Sequence, residues 1–348
     1  MSARLGVVTG LGLGEAVRRR FSRPVLRIGS ILLIIAAIVV GNAAFEMGNL
    51  LGAALGIEAA VAGQTRVWAL IIAAVAAVLL WSGSYRLLER VLMSMVGLMA
   101  VVFVVTAVVV FPPPGELLRG LVVPTLPDGA ILFTVALIGT TVVPYNLFLH
   151  SSTVQERFRG AAELGAARKD LALSILVGGA VSMAILITSA GTIHQAGLAV
   201  TGAPDMARQL EPVLGGWATA FFALGFFAAG MTSSITAPLA AAYATAGALG
   251  WERDLRAPRF RAVWGLVLGA GALAATTGVQ PVEAILFAQA ANGLLLPCIA
   301  LFLLLAVNDG RWMGEHRNGP VANLVGGAIF LVTLVLGGRA LLIGLGVL

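Results

Sequence analysis

Long apolar runs separated by short, arginine-bearing connections dominate the hydropathy pattern of this chain. About 20 apolar residues in a helix span the hydrocarbon of a bilayer. By that measure nine runs qualify: residues 28–57, 67–83, 91–111, 129–151, 171–193, 214–247, 262–279, 283–307 and 320–346. The sixth is long enough for two spans, but Thr232-Ser233-Ser234 and Pro238 inside it fit one tilted, kinked helix more simply. The pattern predicts an all-α multi-pass membrane protein with about nine transmembrane helices and no soluble domain.

The charges test that count. Of the 22 lysines and arginines, 18 fall in alternate connections (1–27, 84–90, 152–170, 248–261 and 308–319). Arg66, Arg119 and Arg208 lie on the opposite side, and Arg339 sits inside the last run. Splitting the sixth run would scramble this bias. The positive-inside rule therefore predicts nine spans, a cytoplasmic N-terminus and an outer C-terminus, in the cell membrane. Hydrophobic residues make up 59% of the chain and charged residues 11%, against roughly 25% charged in soluble domains. A net charge of +6 would suit a nucleic-acid binder, but its confinement to short loops argues for a lipid bilayer and no nucleic acid. The single cysteine, Cys298, permits no intramolecular disulfide.

Residues 1–27 read as a cytoplasmic basic segment and residues 28–348 as the membrane domain. The arginines of the first segment follow its short, glycine-rich apolar part, unlike a signal peptide. Residues 11–27 read either as a segment on the inner membrane surface or, more simply, as an ordinary loop. Residues 112–128, opening with Pro112-Pro113-Pro114-Gly115, and residues 194–212 form the longest outer connections.

The fourth run holds the most informative stretch, Gly139-Thr140-Thr141-Val142-Val143-Pro144-Tyr145-Asn146-Leu147-Phe148-Leu149-His150-Ser151. Pro144 has no amide hydrogen, so carbonyls one turn earlier lose their helical partner. In hydrocarbon they need another, and a cation or water can serve. Ionisable groups at membrane depth cost about 2.5–3.5 kcal/mol on insertion scales, and here they are few. Glu46 lies well inside the first run and His150 toward the cytoplasmic end of the fourth; Asn42, Asn49, Asn146, Gln289 and Asn292 are the neutral polar residues at depth. Each has a structural alternative: a protonated, bonded carboxyl for Glu46, a carbonyl cap for His150, interhelical bonds for the amides. His150 and His194 fall on opposite sides of the membrane and no nucleophile–base or metal-ligand spacing is present, so no enzyme is expected.

At these residues the chain resembles the Nramp family of divalent metal transporters. The stretch Thr140 to Ser151 is similar to that family's sixth-helix motif, Ala-x-x-Met-Pro-His-Asn-Leu-x-Leu-His-Ser. Glu46-Met47-Gly48-Asn49-Leu50-Leu51-Gly52-Ala53-Ala54 resembles its third helix, Thr232 to Pro238 its eighth, and Ala288-Gln289-Ala290-Ala291-Asn292 to Pro297 its tenth. The resemblance implies a leucine-transporter-type inverted-repeat fold. Arg4-Leu5-Gly6-Val7-Val8-Thr9-Gly10 resembles the end of the family's second helix. The chain is thus expected to lack the first two helices, with their Asp-Pro-Gly-Asn metal motif. A start codon assigned too late is the preferred explanation over a truncated gene.

The resemblance implies a secondary transporter of a divalent cation (Mn²⁺, Mg²⁺ or Fe²⁺) working by alternating access, with the cation as substrate and no cofactor. The implied metal site comprises the carbonyls of Thr140 and Val143 with Asn146, Gln289 and Asn292, around the helix break at Pro144. Glu46 and His150 are the candidates for proton movement if transport is proton-coupled. Val143 and Tyr145 replace the family's methionine and following histidine. Loss of the soft thioether leaves oxygen ligands, which suit Mg²⁺ or Mn²⁺; a manganese carrier with a neutral replacement is the other reading. The alternatives are a small-solute transporter on the same fold and a non-transporting remnant.

Overall fold

The computed structural model describes residues 1–61, 63–82, 86–123, 125–126, 129–141, 143–200, 202–252 and 254–344, without the side chains of 86–89, 340, 341, 343 and 344. Pro124, Asp128, Val142, Arg253 and the end of the ninth run fall outside them.

Among the described residues sixteen α-helices follow one another. The first eight are α1 (Ser2–Thr9), α2 (Leu13–Arg20), α3 (Pro24–Ala60), α4 (Thr65–Ser82), α5 (Arg86–Val109), α6 (Pro114–Val122), α7 (Ile131–Thr141) and α8 (Pro144–Arg157). The rest are α9 (Leu164–Ser189), α10 (Ala203–Ala207), α11 (Glu211–Leu214), α12 (Ala218–Leu249), α13 (Pro258–Ala275), α14 (Pro281–Val307), α15 (Gly310–Met313) and α16 (Pro320–Gly344). Among the described residues, eight helical stretches are long and apolar enough to cross a membrane. The run expected at 262–279 is helical too, as α13, but begins with Arg259 and Arg261 in its first turns, which lowers its apolarity. The sixth run is one helix: α12 continues for 32 residues through Pro238.

Helix α3 is the axis of the bundle. Its 37 residues rise about 55 Å at 1.5 Å each, well beyond the hydrocarbon. It packs most extensively on α12, then on α14 and α13. Lipid offers no hydrophobic drive for helix association, so close van der Waals fit has to supply it, and small residues permit that. Gly48, Gly52 and Gly56 recur every fourth residue on α3, which stacks them on one face. A Cβ at Gly56 would stand 2.6 Å from Phe227 N, and one at Gly230 of α12 would stand 2.6 Å from Ala53 N. These helices touch backbone to backbone.

Two expectations change. Residues 11–27 are neither a loop nor a free surface segment, because Leu13, Ala16 and Val17 of α2 are buried against α12, α3 and α14. The connection 112–128, expected as an outer loop, contains a helix, α6. Pro114 opens it, Glu116 lies in its first turn and Arg119 in its last, the arrangement that the proline ring and the helix dipole both favour.

An ion-pair cluster ties α2 to the end of α14. Asp309 Oδ2 accepts from Arg20 Nη1 at 2.7 Å and from Arg311 Nη2 at 2.6 Å, while Oδ1 accepts from the Arg311 amide and Nε, each at 3.0 Å. The hydrogen bonds from Arg311, aided by the charge of Arg20, hold the Asp309 carboxyl down at about 2 despite its burial.

Gly230→Ala is expected to destabilise the protein by about 1–3 kcal/mol, the usual cost of overpacking. Gly97→Ala, where nothing lies within 4 Å of the added carbon, should be neutral or stabilising by up to about 1 kcal/mol through helix propensity. Melting temperatures in detergent check both signs. A depressed folded-state value means Asp309 stabilises above its ordinary 3.8 and loses that contribution as pH falls toward about 2. The melting-temperature gap between the native chain and Asp309→Asn should therefore be flat above about pH 4 and close below it.

Candidate functional site

The sequence break at Pro144 is a break in the structure. α7 ends at Thr141 and α8 begins at Pro144, with Val143 extended between them at φ −71° and ψ 125°. The last carbonyls of α7 and the first amides of α8 have no partners within their own helices. The negative dipole end of one half and the positive end of the other thus meet in mid-span. The Val143 carbonyl accepts the Asn146 amide at 3.0 Å, the first bond of α8, and keeps a second lone pair free.

Packing fixes the two halves differently. A Cβ on Gly139 would lie 2.0 Å from the Gln289 carbonyl oxygen and 2.5 Å from Gly293 N, and one on Gly293 would lie 2.5 Å from the Val135 carbonyl oxygen. α7 therefore lies directly on the backbone of α14 at Gln289–Gly293. On α8, Pro144, Tyr145, Phe148, Ser151 and Ser152 are buried. The side chains of Val143 and Tyr145 pack with Ala237 and Ala240 of α12, and Tyr145 meets Phe45 of α3 edge-on at 6.0 Å.

Of the expected metal-site residues, the structure brings Gln289 beside α7, the first half of the broken helix, through their backbones. Thr140, one residue past Gly139, is half-buried. Asn292 is buried at 1% exposure, with its Oδ1 3.4 Å from where a Gly41 Cβ would be and its Nδ2 without a hydrogen-bond partner. Asn146 is exposed. It shares one stripe of α8 with His150 and Thr153, opposite the buried face. The Val143 side chain is committed to packing, leaving its carbonyl as the available donor atom. Among the described residues no group of three or more His, Cys, Asp or Glu side chains could hold a metal ion.

Glu46 is fully buried. Oε2 accepts from Asn49 Nδ2 at 3.2 Å, Oε1 has no partner, and the Ser234 hydroxyl faces the carboxyl outside hydrogen-bond geometry. Gly271 lets α13 press on this side chain, since a Cβ there would lie 2.7 Å from Glu46 Cβ. Toward the C-terminal end of α3 a cavity of about 160 Å³ opens between α3, α12 and α14, lined by Asn49, Ser233 and Gln289 among apolar groups. It has room for several waters at about 30 Å³ each. Ser233 and Ser234 lie in the motif that marked the eighth-helix resemblance, but chain position alone did not show that one meets Glu46 and the other the cavity. Asn42 is bonded, Nδ2 to the Ala237 carbonyl at 3.2 Å, beside Pro238; a membrane asparagine four residues before the buried glutamate was its only signal. His150 Nε2 has no partner.

The architecture is thus a helical membrane bundle with one span interrupted at its centre and polar groups gathered beside the interruption. Residues 1–343 match the family model Nramp, natural resistance-associated macrophage protein-like; the chain belongs to the Nramp family. It is 28% identical over 347 residues to the divalent metal cation transporter MntH of Klebsiella pneumoniae, covering 97% of this chain and 81% of that protein. It is 30% identical over 360 residues to MntH of Bradyrhizobium diazoefficiens, covering 97% and 78%. The fold is that of the manganese transporter of Eremococcus coleocola, seen in the crystal structure of a mutant (TM-score 0.72, 18% identity, 97% of this chain and 75% of that one). The expected inverted-repeat fold and integral multi-pass placement follow.

Asn292→Leu should be neutral or stabilising, by up to the roughly 1–3 kcal/mol that one unsatisfied buried group costs. Asn42→Leu removes a made bond and should destabilise by about 0.5–1.5 kcal/mol. Thermal melts of the two variants in detergent would expose a wrong assignment, because the signs differ.

Proposed function

We propose that the protein is a secondary transporter that carries a divalent cation of the Mn²⁺, Mg²⁺ or Fe²⁺ class across the cell membrane by alternating access. The observation that carries this reading is the helix break at Thr141–Pro144, laid against Gln289–Gly293, in a chain of the Nramp family. A break of this kind presents free carbonyls and a dipole end to a cation at membrane depth. In this reading the carbonyls of Thr140 and Val143, with Asn146, Gln289 and Asn292, supply oxygens to the ion directly or through its waters. Oxygen donors suit hard cations, and Mg²⁺ in particular keeps part of its hydration shell, which the cavity at Asn49 and Gln289 would accommodate. The unpartnered Asn292 Nδ2 would be satisfied by such a water.

Glu46 and His150 are the groups we assign to proton movement. Glu46 has one bonded and one free oxygen, the arrangement of a carboxyl able to take up and release a proton without losing its position. The basic connections, with the N-terminus, are placed on the cytoplasmic side. No enzymatic step is assigned.

Purified protein in proteoliposomes should take up Mn²⁺ or Mg²⁺ down an imposed gradient, read with an ion-sensitive dye inside the vesicles. Absence of flux for every divalent cation tried would overturn the proposal. Gln289→Ala should raise the half-saturating cation concentration about ten-fold or more, the cost of one lost hydrogen bond to a charged species. Glu46→Gln should keep gradient-driven cation movement while removing any response to an imposed pH difference; a retained response would exclude Glu46 from coupling.

A further inference from the structure

The connection between α5 and α7 carries a helix that the bundle leaves uncovered. None of the residues of α6 is buried; Leu118 and Leu121 are each 61% exposed and Val122 is 76% exposed. On a helical wheel Leu117, Leu118, Leu121 and Val122 fall within an arc of about 140° centred on Pro114. Glu116, Arg119 and two glycines fill the other side. That is the division of an interfacial helix, with an apolar face and a polar face of low net charge.

Connectivity says what covers the apolar face. α6 begins five residues after α5 ends at Val109 and finishes nine residues before α7 begins at Ile131, so both ends are tied to membrane spans. The exposed apolar surface of those spans runs up to it: Val108, Val109 and Phe111 on one side, Leu132 and Phe133 on the other, each at least half exposed. We propose that α6 is a membrane-surface anchor, lying in the bilayer interface with Leu118, Leu121 and Val122 in the acyl boundary and Glu116 and Arg119 among the headgroups. Its two charges cancel, so apolar burial rather than anionic lipid holds it there. The chain passes from α6 into α7, the half-helix that ends at the break. The anchor therefore fixes the level from which that half-helix enters the membrane.

Nitroxide accessibility tests this on the full chain in phosphatidylcholine nanodiscs. In a Cys298→Ser background, single cysteines are placed by Leu118→Cys, Leu121→Cys, Glu116→Cys and Arg119→Cys, with Val104→Cys on the lipid-facing side of α5 as reference. Labels at 118 and 121 should be relaxed more by oxygen than by a water-soluble nickel chelate, as at 104, and those at 116 and 119 the reverse. Adding phosphatidylglycerol should leave the ratios unchanged. Nickel dominating at all four sites would place α6 in water, and shielding from both reagents at all four would place a protein on it. Either result, or a ratio reversal that needs anionic lipid, overturns the anchor. The outcome is independent of cation flux.

Discussion

Backbone-to-backbone contact at glycines is the constraint on which the rest of the molecule depends. In a bilayer, leucine-rich helix faces gain little by leaving lipid for one another, so association rests on how closely the backbones approach. Gly56 and Gly230 bring α3 and α12 within a distance that a single Cβ would violate, and Gly139 and Gly293 do so for α7 and α14. Gly6 repeats the device between α1 and α8, where a Cβ would lie 2.2 Å from the Ser151 carbonyl oxygen. The many exposed valines and leucines on the outside of α4, α5, α9 and α16 are the complement, surface given to lipid.

That close packing decides where polar groups sit unpaired. Glu46 is pinned by Gly271 on one side and by Asn49 on the other, so its free oxygen cannot swing to a new partner. Asn292 is held against Gly41 in the same way. A buried polar atom without a partner costs about 1–3 kcal/mol, and Glu46 Oε1 and Asn292 Nδ2 are two of the ten such side-chain atoms among the described residues.

Much of this was legible in the sequence, for physical reasons that differ by element. Run lengths marked the spans because hydrocarbon thickness sets them, and Pro144 marked the break together with the polar residues around it, since Pro238 and Pro297 sit inside continuous helices. The run at 214–247 is one helix through Pro238, and Asn42 donates to the neighbouring Ala237 carbonyl, a partnership between residues 195 positions apart that no local pattern reveals. α2 was hidden by its arginines, which dominate its composition while Leu13, Ala16 and Val17 do the packing. For the site, residue types were readable but faces were not. Asn146 and Asn292 are both asparagines at depth, yet one lies on an open stripe and the other in the core.

The break also separates two attachments. α7 packs on α14 and α16, whereas α8 packs on α1, α12 and α2. α8 is held by more than contact: the Ser2 hydroxyl donates to the Leu147 carbonyl, and the Leu13 amide donates to Ser151 Oγ at 2.8 Å. Among the described residues, the link between the halves is the extended residue Val143. A rearrangement that moves α14 relative to α12 would also have to pass through α3, which packs on both. The extended residue and the opposed dipole ends of the two half-helices coincide in the same few residues, so turning one half against the other would re-aim the backbone groups at the break.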